Sequence, residues 1–500
     1  MEYSGCEKKR ILVANRGEIA IRILKAIREL GHIAIAIYSE VDKYSPHLAF
    51  ADEAYFIGES EASKSYLNID SIIEVAKKNK IDGIHPGYGF LAENTRFAEA
   101  VKSSNIVWIG PHPKSMYDVG DKIRAREIAK SAGVPIIPGV TLDNNVDPMD
   151  AAKSLGFPIL IKASAGGGGK GMRIVRDESE LIDSVNIARK EAESSFADPT
   201  IYFEKLLEEP HHIEIQVLAD KHGNAYYFPE RECSIQRRYQ KIVEESPSAT
   251  IDRMQAKSMG EAALKLIKKI AYDSAGTVEF MVDKNKNFYF LEVNARIQVE
   301  HPVTEEITGI DLVSNQIEVA FGKSLSFNQD IINIPKGHAV EARIYAEDPE
   351  NNFIPSIGKI NYYEIPYGAG IRLDDGAYKG YEVPIHYDPI ISKVIAKGTD
   401  RNQSLYRLYK ALSNYHILPI KTTISFIMNI IKHPEFRKGE YDTNFINKHY
   451  EKLFDENEKY IPIAVACYYY LSSQGVTNEY AYGDKYMLKE CWQYLTNFRG

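Results

Sequence analysis

The chain begins with short apolar stretches separated by amphipathic ones. Residues 11–14 read as a buried strand, 18–30 as a helix and 33–38 as a second strand. Residues 71–79 read as a helix and 83–85 as a strand end, and 107–110 close the series. Gly31 stands where a helix C-cap is expected. Strands alternating with helices predict a parallel sheet covered on both faces. A second unit starts near Pro138, with Pro135 and Pro138 marking a linker. It reads as a helix around 148–155, a strand at 157–163, a glycine run at 166–169 with Gly171, a helix at 178–192 and a strand at 201–207. Such a unit suits a small lobe or lid. From 210 to 450 the signals turn antiparallel, as in 213–218, a turn at 221–224 and 225–228. After 450 the chain is rich in tyrosine and predicts helices near 461–473 and 483–497.

Composition narrows the function. The 500 residues are 44% hydrophobic and 26% charged, which suits a globular protein of two to four domains. The formal net charge of -8 argues against nucleic acid as a main partner. No apolar run approaches the roughly 18 residues of a membrane span, and the polar start does not resemble a secretion signal. The four cysteines, Cys6, Cys233, Cys467 and Cys491, have no metal-site spacing and no disulfide framework, which suggests a reducing, cytoplasmic location.

The glycine run is the first candidate for chemistry. Residues 158–171 read P-I-L-I-K-A-S-A-G-G-G-G-K-G. Successive glycines let backbone N–H groups approach an anion closely. Gly171 follows Gly169-Lys170 where a P-loop needs Ser or Thr, so that reading fails. The spacing of Gly166, Gly168 and Gly171 fits a dinucleotide fingerprint, but that motif must open a helix, and an apolar strand follows here. A glycine hairpin closing over ATP phosphates fits better than either, with a plain surface hairpin as the alternative. Lys162, within an otherwise apolar segment, needs a partner for its charge, and a phosphate would serve.

The second candidate lies at 277–300. Residues 277–282 and 288–293 read as strands joined by a turn at 283–287. A hairpin centred on Asn285-Lys286 pairs residues whose numbers sum to 571, which sets Glu279 opposite Glu292. Facing like charges repel unless a divalent cation bridges them. From 291 to 300 apolar and polar residues alternate. An extended chain would put Glu292, Asn294, Arg296, Gln298 and Glu300 on one face. Arg296 could hold a planar anion and Glu300 could act as a base.

Here the chain resembles biotin carboxylase, the ATP-grasp component of acetyl-CoA, propionyl-CoA and pyruvate carboxylases. The similar segments are V-A-N-R-G-E-I-A at 13–20, H-P-G-Y-G-F-L-A-E-N at 85–94, I-K-A-S-A-G-G-G-G-K-G-M at 161–172, E-C-S-I-Q-R-R at 232–238, V-N-A-R-I-Q-V-E-H-P-V-T-E at 293–305 and G-H-A-V-E-A-R-I at 337–344. They cover about 8–450 in family order, and the ordered set is far more specific than any one glycine motif. The resemblance implies an α/β and α+β multidomain fold. Its parts are a parallel α/β domain at 1–110, linker helices at 111–137, an ATP-grasp lid at 138–207 and core at 208–335, and an antiparallel C-terminal domain at 336–451. A tail at 452–500 stays unassigned.

The resemblance also implies roles. Lys122, Lys162, Gly167, Gly168, Gly169, Gly171, Met172, Glu204, Lys205, Leu207, His212 and Gln236 would contact ATP, together with Glu279 and Glu292. Glu279, Glu292 and Asn294 would hold Mg2+ or Mn2+. Lys241, Arg296, Gln298 and the Val299 backbone would bind bicarbonate, Glu300 would deprotonate it, and Arg343 would stabilise the biotin enolate. Tyr88 and Asp388 would flank the biotin pocket or the contact between protomers. Tyr239 stands where many members have His, Ala165 replaces one glycine, and Ala295 replaces a common Thr. The sequence holds no Met-Lys-Met biotin-attachment motif. Biotin is therefore expected on a carrier protein or domain, the enzyme as a homodimer, and the carboxyltransferase on a separate subunit. Another ATP-grasp carboxylate ligase is the alternative.

Overall fold

The computed structural model describes residues 7–142, 146–163, 172–196, 199–238 and 240–454. The glycines at 167, 168, 169 and 171, Tyr239 and the two helices expected in the tail lie outside the described residues. Residues 1–450 form one compact unit and 451–500 another.

The first sheet is parallel, in the order β3 (Glu53–Gly58), β2 (Ile33–Ser39), β1 (Arg10–Val13), β4 (Gly83–His85), β5 (Val107–Trp108). Ile11, Leu12 and Val13 are wholly buried, as expected of a strand covered on both faces. Helix α1 (Gly17–Glu29) turns Ile19, Ile23, Leu24 and Ile27 onto the sheet. It ends at Leu30, where Gly31 at φ +79 adopts the left-handed conformation a C-cap requires, and its N–H donates to the Arg28 carbonyl at 2.9 Å. Strand β3 is not predicted by the pattern. It lies at the sheet edge, where only Ile57 of its apolar run 54–57 is buried and Ala54 and Phe56 are exposed.

The sheet in the segment expected as the lid is antiparallel, in the order β6 (Gly139–Leu142), β9 (Ile201–Lys205), β7 (Ile159–Ala163), β8 (Arg173–Val175). The helices Pro148–Leu155 and Leu181–Phe196 cover it, with Ala152, Leu181, Val185 and Ala188 in the shared core.

The largest sheet has nine strands and carries the chemistry. Its path runs β15 (Phe288–Asn294), β14 (Ala275–Val282), β10 (His211–Ala219), β12 (Arg231–Arg237), β13 (Gln240–Ser246), β16 (His338–Tyr345), then Ile390–Gly398 and Ile371–Asp375. Strand β11 (Ala225–Tyr227) pairs with the far end of β10. The expected division at 335/336 falls just before β16, which pairs directly with β13, so the sheet is continuous across it. On one face Ile213, Ile215, Val217, Val278 and Phe280 share a core with Met259, Ala263, Leu266 and Ile267 of the helix Arg253–Lys269. Each such buried side chain contributes roughly 1.5–3 kcal/mol. That apolar face lets the other face carry His212, Glu214, Gln216, Thr277 and Glu279.

Glu245 on β13 ties the sheet to the C-terminal segment. Arg401 donates to its carboxylate from Nε at 2.6 Å and Nη2 at 3.0 Å, His338 Nε2 lies within 3.1 Å, and the Tyr441 hydroxyl also donates to it. Burial disfavours the charge, but Arg401 and His338 outweigh it and lower the carboxyl pKa to about 2 from the ordinary 4.5. A depressed carboxyl pKa stabilises the fold above the unfolded-state value, and the gain is lost as pH falls from about 4.5 towards about 2. The expected cost of Glu245→Gln at pH 7 is on the order of 3 kcal/mol. Urea unfolding of the two proteins should show that gap closing once the pH drops below about 4.5. A gap that is constant with pH would disprove the electrostatic assignment.

Candidate active site

The β14–β15 hairpin sets Glu279 opposite Glu292, with Val278 opposite Val293 and Thr277 opposite Asn294. The register arrives by a different route from the one the pattern implies. The turn closes half a residue earlier, with the Asp283 N–H on the Asn287 carbonyl and Val282 opposite Phe288. Between Glu279 and Phe280 the register shifts by one, because Leu291 is an extra residue on β15. This bulge restores the facing carboxylates.

The expectation of an extended chain through Glu300 needs correction. Strand β15 ends at Asn294, 295–300 are irregular, and Glu300 is the N-cap of the helix His301–Thr308. The backbone leaves the sheet because the Ala295 N–H donates to Glu93 Oε1 at 3.0 Å rather than to a neighbouring strand. Pro302 in the first turn then starts the helix. The polar side chains converge all the same. Arg296 donates to Asn294 Oδ1 and Gln298 Oε1, each at 2.9 Å, and to Glu93 at 3.1 Å. Gln298 and Asn294 donate to Glu279 Oε1 at 2.9 and 2.8 Å.

Lys241 is the hub of the site. Its buried ammonium reaches Glu214 at 2.6 Å, Glu279 at 3.0 Å and Glu300 at 2.5 Å. Arg343 donates from Nη2 to Glu300 Oε2 at 2.9 Å and from Nε to Glu244 at 2.5 Å. Arg231 contacts Glu214 and also donates to Gln216, Thr277 and Thr304. His212 Nε2 lies 2.7 Å from Glu279 Oε2. Glu300 spends no oxygen on capping its own helix, since both face cations.

Charge balance sorts these acids. Burial disfavours ionisation of Glu300, but Lys241, Arg343 and Arg231 outweigh it and hold the carboxyl well below the usual range. Glu279 is lowered in the same way by Lys241 and His212 against burial. Glu244 goes the other way: burial pushes it up to about 7 despite Arg343. Burial and the charge of Glu279 also raise Glu292, which has the Lys122 ammonium at 3.8 Å. A cavity of about 220 Å³ opens beside this pair, bounded by Glu93, Met116, Lys122, Glu292 and Asn294.

Of the expected nucleotide contacts, Lys122 and Glu292 line this cavity, and Lys162, Glu204, Lys205, Met172, Leu207, His212 and Gln236 do not. Lys162 pairs with Glu204, which Arg126 also reaches at 3.2 Å, so a protein carboxylate meets the lysine charge here. Lys205 donates to the Gly156 and Phe157 carbonyls, fastening the end of β9 to the loop that enters its neighbour β7. Lys122 is exposed, and Met172, Leu207 and Gln236 are half-buried. Tyr88 donates its hydroxyl to Glu18, and Asp388 accepts from the Ile390 N–H at 2.9 Å. Sequence reasoning passed over Glu93, Glu214, Arg231, Glu244 and Lys393. The signal for Glu214 is present: His212, Glu214 and Gln216 alternate with Ile213, Ile215 and Val217.

Comparison with known proteins places these features. Residues 7–116 match the family described as biotin carboxylase, N-terminal domain. Residues 121–328 match the carbamoyl-phosphate synthase L chain, ATP binding domain, and 341–448 the biotin carboxylase C-terminal domain. A pyruvate carboxylase subunit of Methanothermobacter thermautotrophicus is 51% identical over 90% of this chain and 92% of its own length. Biotin carboxylase 1 of Bacillus subtilis is 48% identical over 88% of this chain and 98% of its own. Among solved structures, the biotin carboxylase domain dimer of Hydrogenobacter thermophilus 2-oxoglutarate carboxylase, in complex with MgADP, ADP and bicarbonate, is 44% identical. It covers 90% of this chain and all of its own, with a TM-score of 0.85.

Three buried glutamates around one ammonium make Lys241 a costly side chain to remove. Lys241→Met should destabilise the fold by roughly 3–5 kcal/mol. Adding Glu279→Gln should recover part of that, because a buried carboxylate charge goes with it and its other charged partner, His212, can lose its proton. Thermal melts of the single and double variants measure both effects; a double variant no more stable than the single one would contradict this account.

Proposed function

Because the chain belongs to the biotin carboxylase family, we propose how its own residues carry out the ATP- and bicarbonate-dependent carboxylation of biotin. One observation carries the proposal: Lys241 and Arg343 converge on the two oxygens of a buried, ionised Glu300. In the family scheme Glu300 takes the proton of bicarbonate, which then attacks the γ-phosphate of ATP to give carboxyphosphate and ADP. Carboxyphosphate breaks into CO2 and phosphate, the phosphate takes the N1 proton of biotin, and the enolate, its oxygen held by Arg343, attacks the CO2.

The electrostatics add a condition. A carboxylate held far below the usual range is a weak base. Bicarbonate and triphosphate give Lys241 and Arg343 other anions to face, so substrate arrival raises the proton affinity of Glu300. The base is strengthened only when its substrate is present, and ATP is spared futile hydrolysis. Lys122 and Lys162, together with the glycine lid, bind the phosphates. Arg296, Gln298 and the Val299 backbone hold bicarbonate, and closure of the lid over 138–207 excludes water from a labile intermediate.

The carboxylate pair suits Mg2+ or Mn2+. Glu279 and Glu292 face each other across two strands, and the charge of Glu279 disfavours ionisation of Glu292, a cost that a cation would remove. Asn294 is beside them. A bound cation would supply charge neutralisation for the triphosphate.

Partners follow from the same reading. Biotin arrives on a carrier protein or domain, the enzyme works as a homodimer, and a carboxyltransferase subunit chooses the final acceptor. No helix among the described residues is long and apolar enough to cross a membrane. With the cysteine usage, this leads us to place the enzyme in the cytoplasm.

Two variants separate the stages. Glu300→Gln should lower bicarbonate-dependent ATP cleavage by roughly 10²–10⁴-fold while ATP affinity holds. Arg343→Ala should lose biotin carboxylation and keep ATP binding, measured by nucleotide titration and by transfer of labelled bicarbonate to biotin. Normal biotin carboxylation by Arg343→Ala would refute its role.

A further inference from the structure

Lys393 lies on the strand Ile390–Gly398 and is wholly buried. A lysine in that position is a cost unless its charge is used. Its ammonium donates to the Val299 carbonyl at 3.0 Å and lies 3.0 Å from Glu18 and 3.6 Å from Asp374. Glu18 belongs to α1 and accepts the Tyr88 hydroxyl on its other oxygen. Asp374 is gripped in turn by Arg372, from Nε at 2.9 Å and Nη2 at 3.0 Å. Burial opposes the ammonium charge, but Glu18, Asp374 and Glu341 outweigh it, so Lys393 is held protonated.

The Val299 carbonyl and the Glu300 N–H are two ends of one planar peptide, so fixing the first orients the second. The irregular segment 295–300 has no strand neighbour to hold it. It is fastened at its start by Glu93, through the Ala295 N–H, and at its end by Lys393, through the Val299 carbonyl.

We propose that Lys393 is a positioning residue for the 295–300 segment, setting the peptide from which Glu300 projects, and that Glu18 and Tyr88 serve it by fixing the ammonium. This gives the segments 13–20 and 85–94 a task in the reaction, although neither side chain reaches the Lys241 hub. The inference rests on Glu300 as the base.

The test compares Lys393→Met, Lys393→Arg and Tyr88→Phe in bicarbonate-dependent ATP cleavage, with Glu300→Gln as reference. Lys393→Met should lower kcat roughly 10²-fold with the ATP KM within about two-fold of the parent, since the segment is misplaced and the nucleotide site is intact. Lys393→Arg, which keeps the charge, should recover part of the loss. Tyr88→Phe should lower kcat roughly five-fold without changing the thermal midpoint by more than about 2 °C. Parental kcat in Lys393→Met, or kcat and ATP affinity falling together with the thermal midpoint, overturns the proposal. If Lys393→Met does not fold, Tyr88→Phe decides, and parental turnover there overturns it. An active Glu300→Gln removes the base assignment itself, whereas an inactive one beside unaffected Lys393 and Tyr88 variants removes only the role of Lys393.

Discussion

One ammonium shared by three glutamates organises this molecule. Lys241 meets Glu214, Glu279 and Glu300 where water is excluded, and none of the four could be buried there alone. The acids come from separate places: β10, β14 and the cap of a helix. A charge they must share fixes the distances between those elements more tightly than apolar packing could. It also leaves the site rich in negative charge and poised for cations and for anions carried with them.

Much of this was legible in the sequence, and the failures have physical causes. Continuous apolar runs identified the buried parallel strands, and the glycine beyond α1 marked its end. The edge strand β3 was passed over although 54–57 are apolar, and only Ile57 of it is fully buried. The facing of Glu279 and Glu292 was legible from the hairpin, yet that pairing holds only because a bulge offsets an error in the turn. The alternation through Glu300 was read as an extended strand. Alternation reports which side chains are polar, not where a backbone N–H finds its acceptor, and Glu93 lies some 200 residues away in sequence. Glu244 and Lys393 were missed for a related reason. Each is one of several charges in its strand, and only the neighbouring strands show which of them faces the site.

The sheet also joins regions that sequence alone divides. β13 carries Lys241 and Glu244, and its neighbour β16 carries Arg343. The residues assigned to carboxyphosphate formation and to biotin activation therefore sit on adjacent strands with a fixed register. The four-stranded sheet of β6, β9, β7 and β8 shares no strand with this one, so that spacing does not depend on it.

The extra residue at Leu291 has an outcome for how this hairpin can vary. It acts as a phase adjuster between a turn that faces solvent and a carboxylate pair that must stay aligned. A chain that lost one residue from β15 would swing Glu292 to the opposite face unless the turn lengthened to match. Changes in turn length and in the bulge are thus expected to occur together in descendants of this protein, and a designer grafting a new turn here must conserve the parity of the whole hairpin.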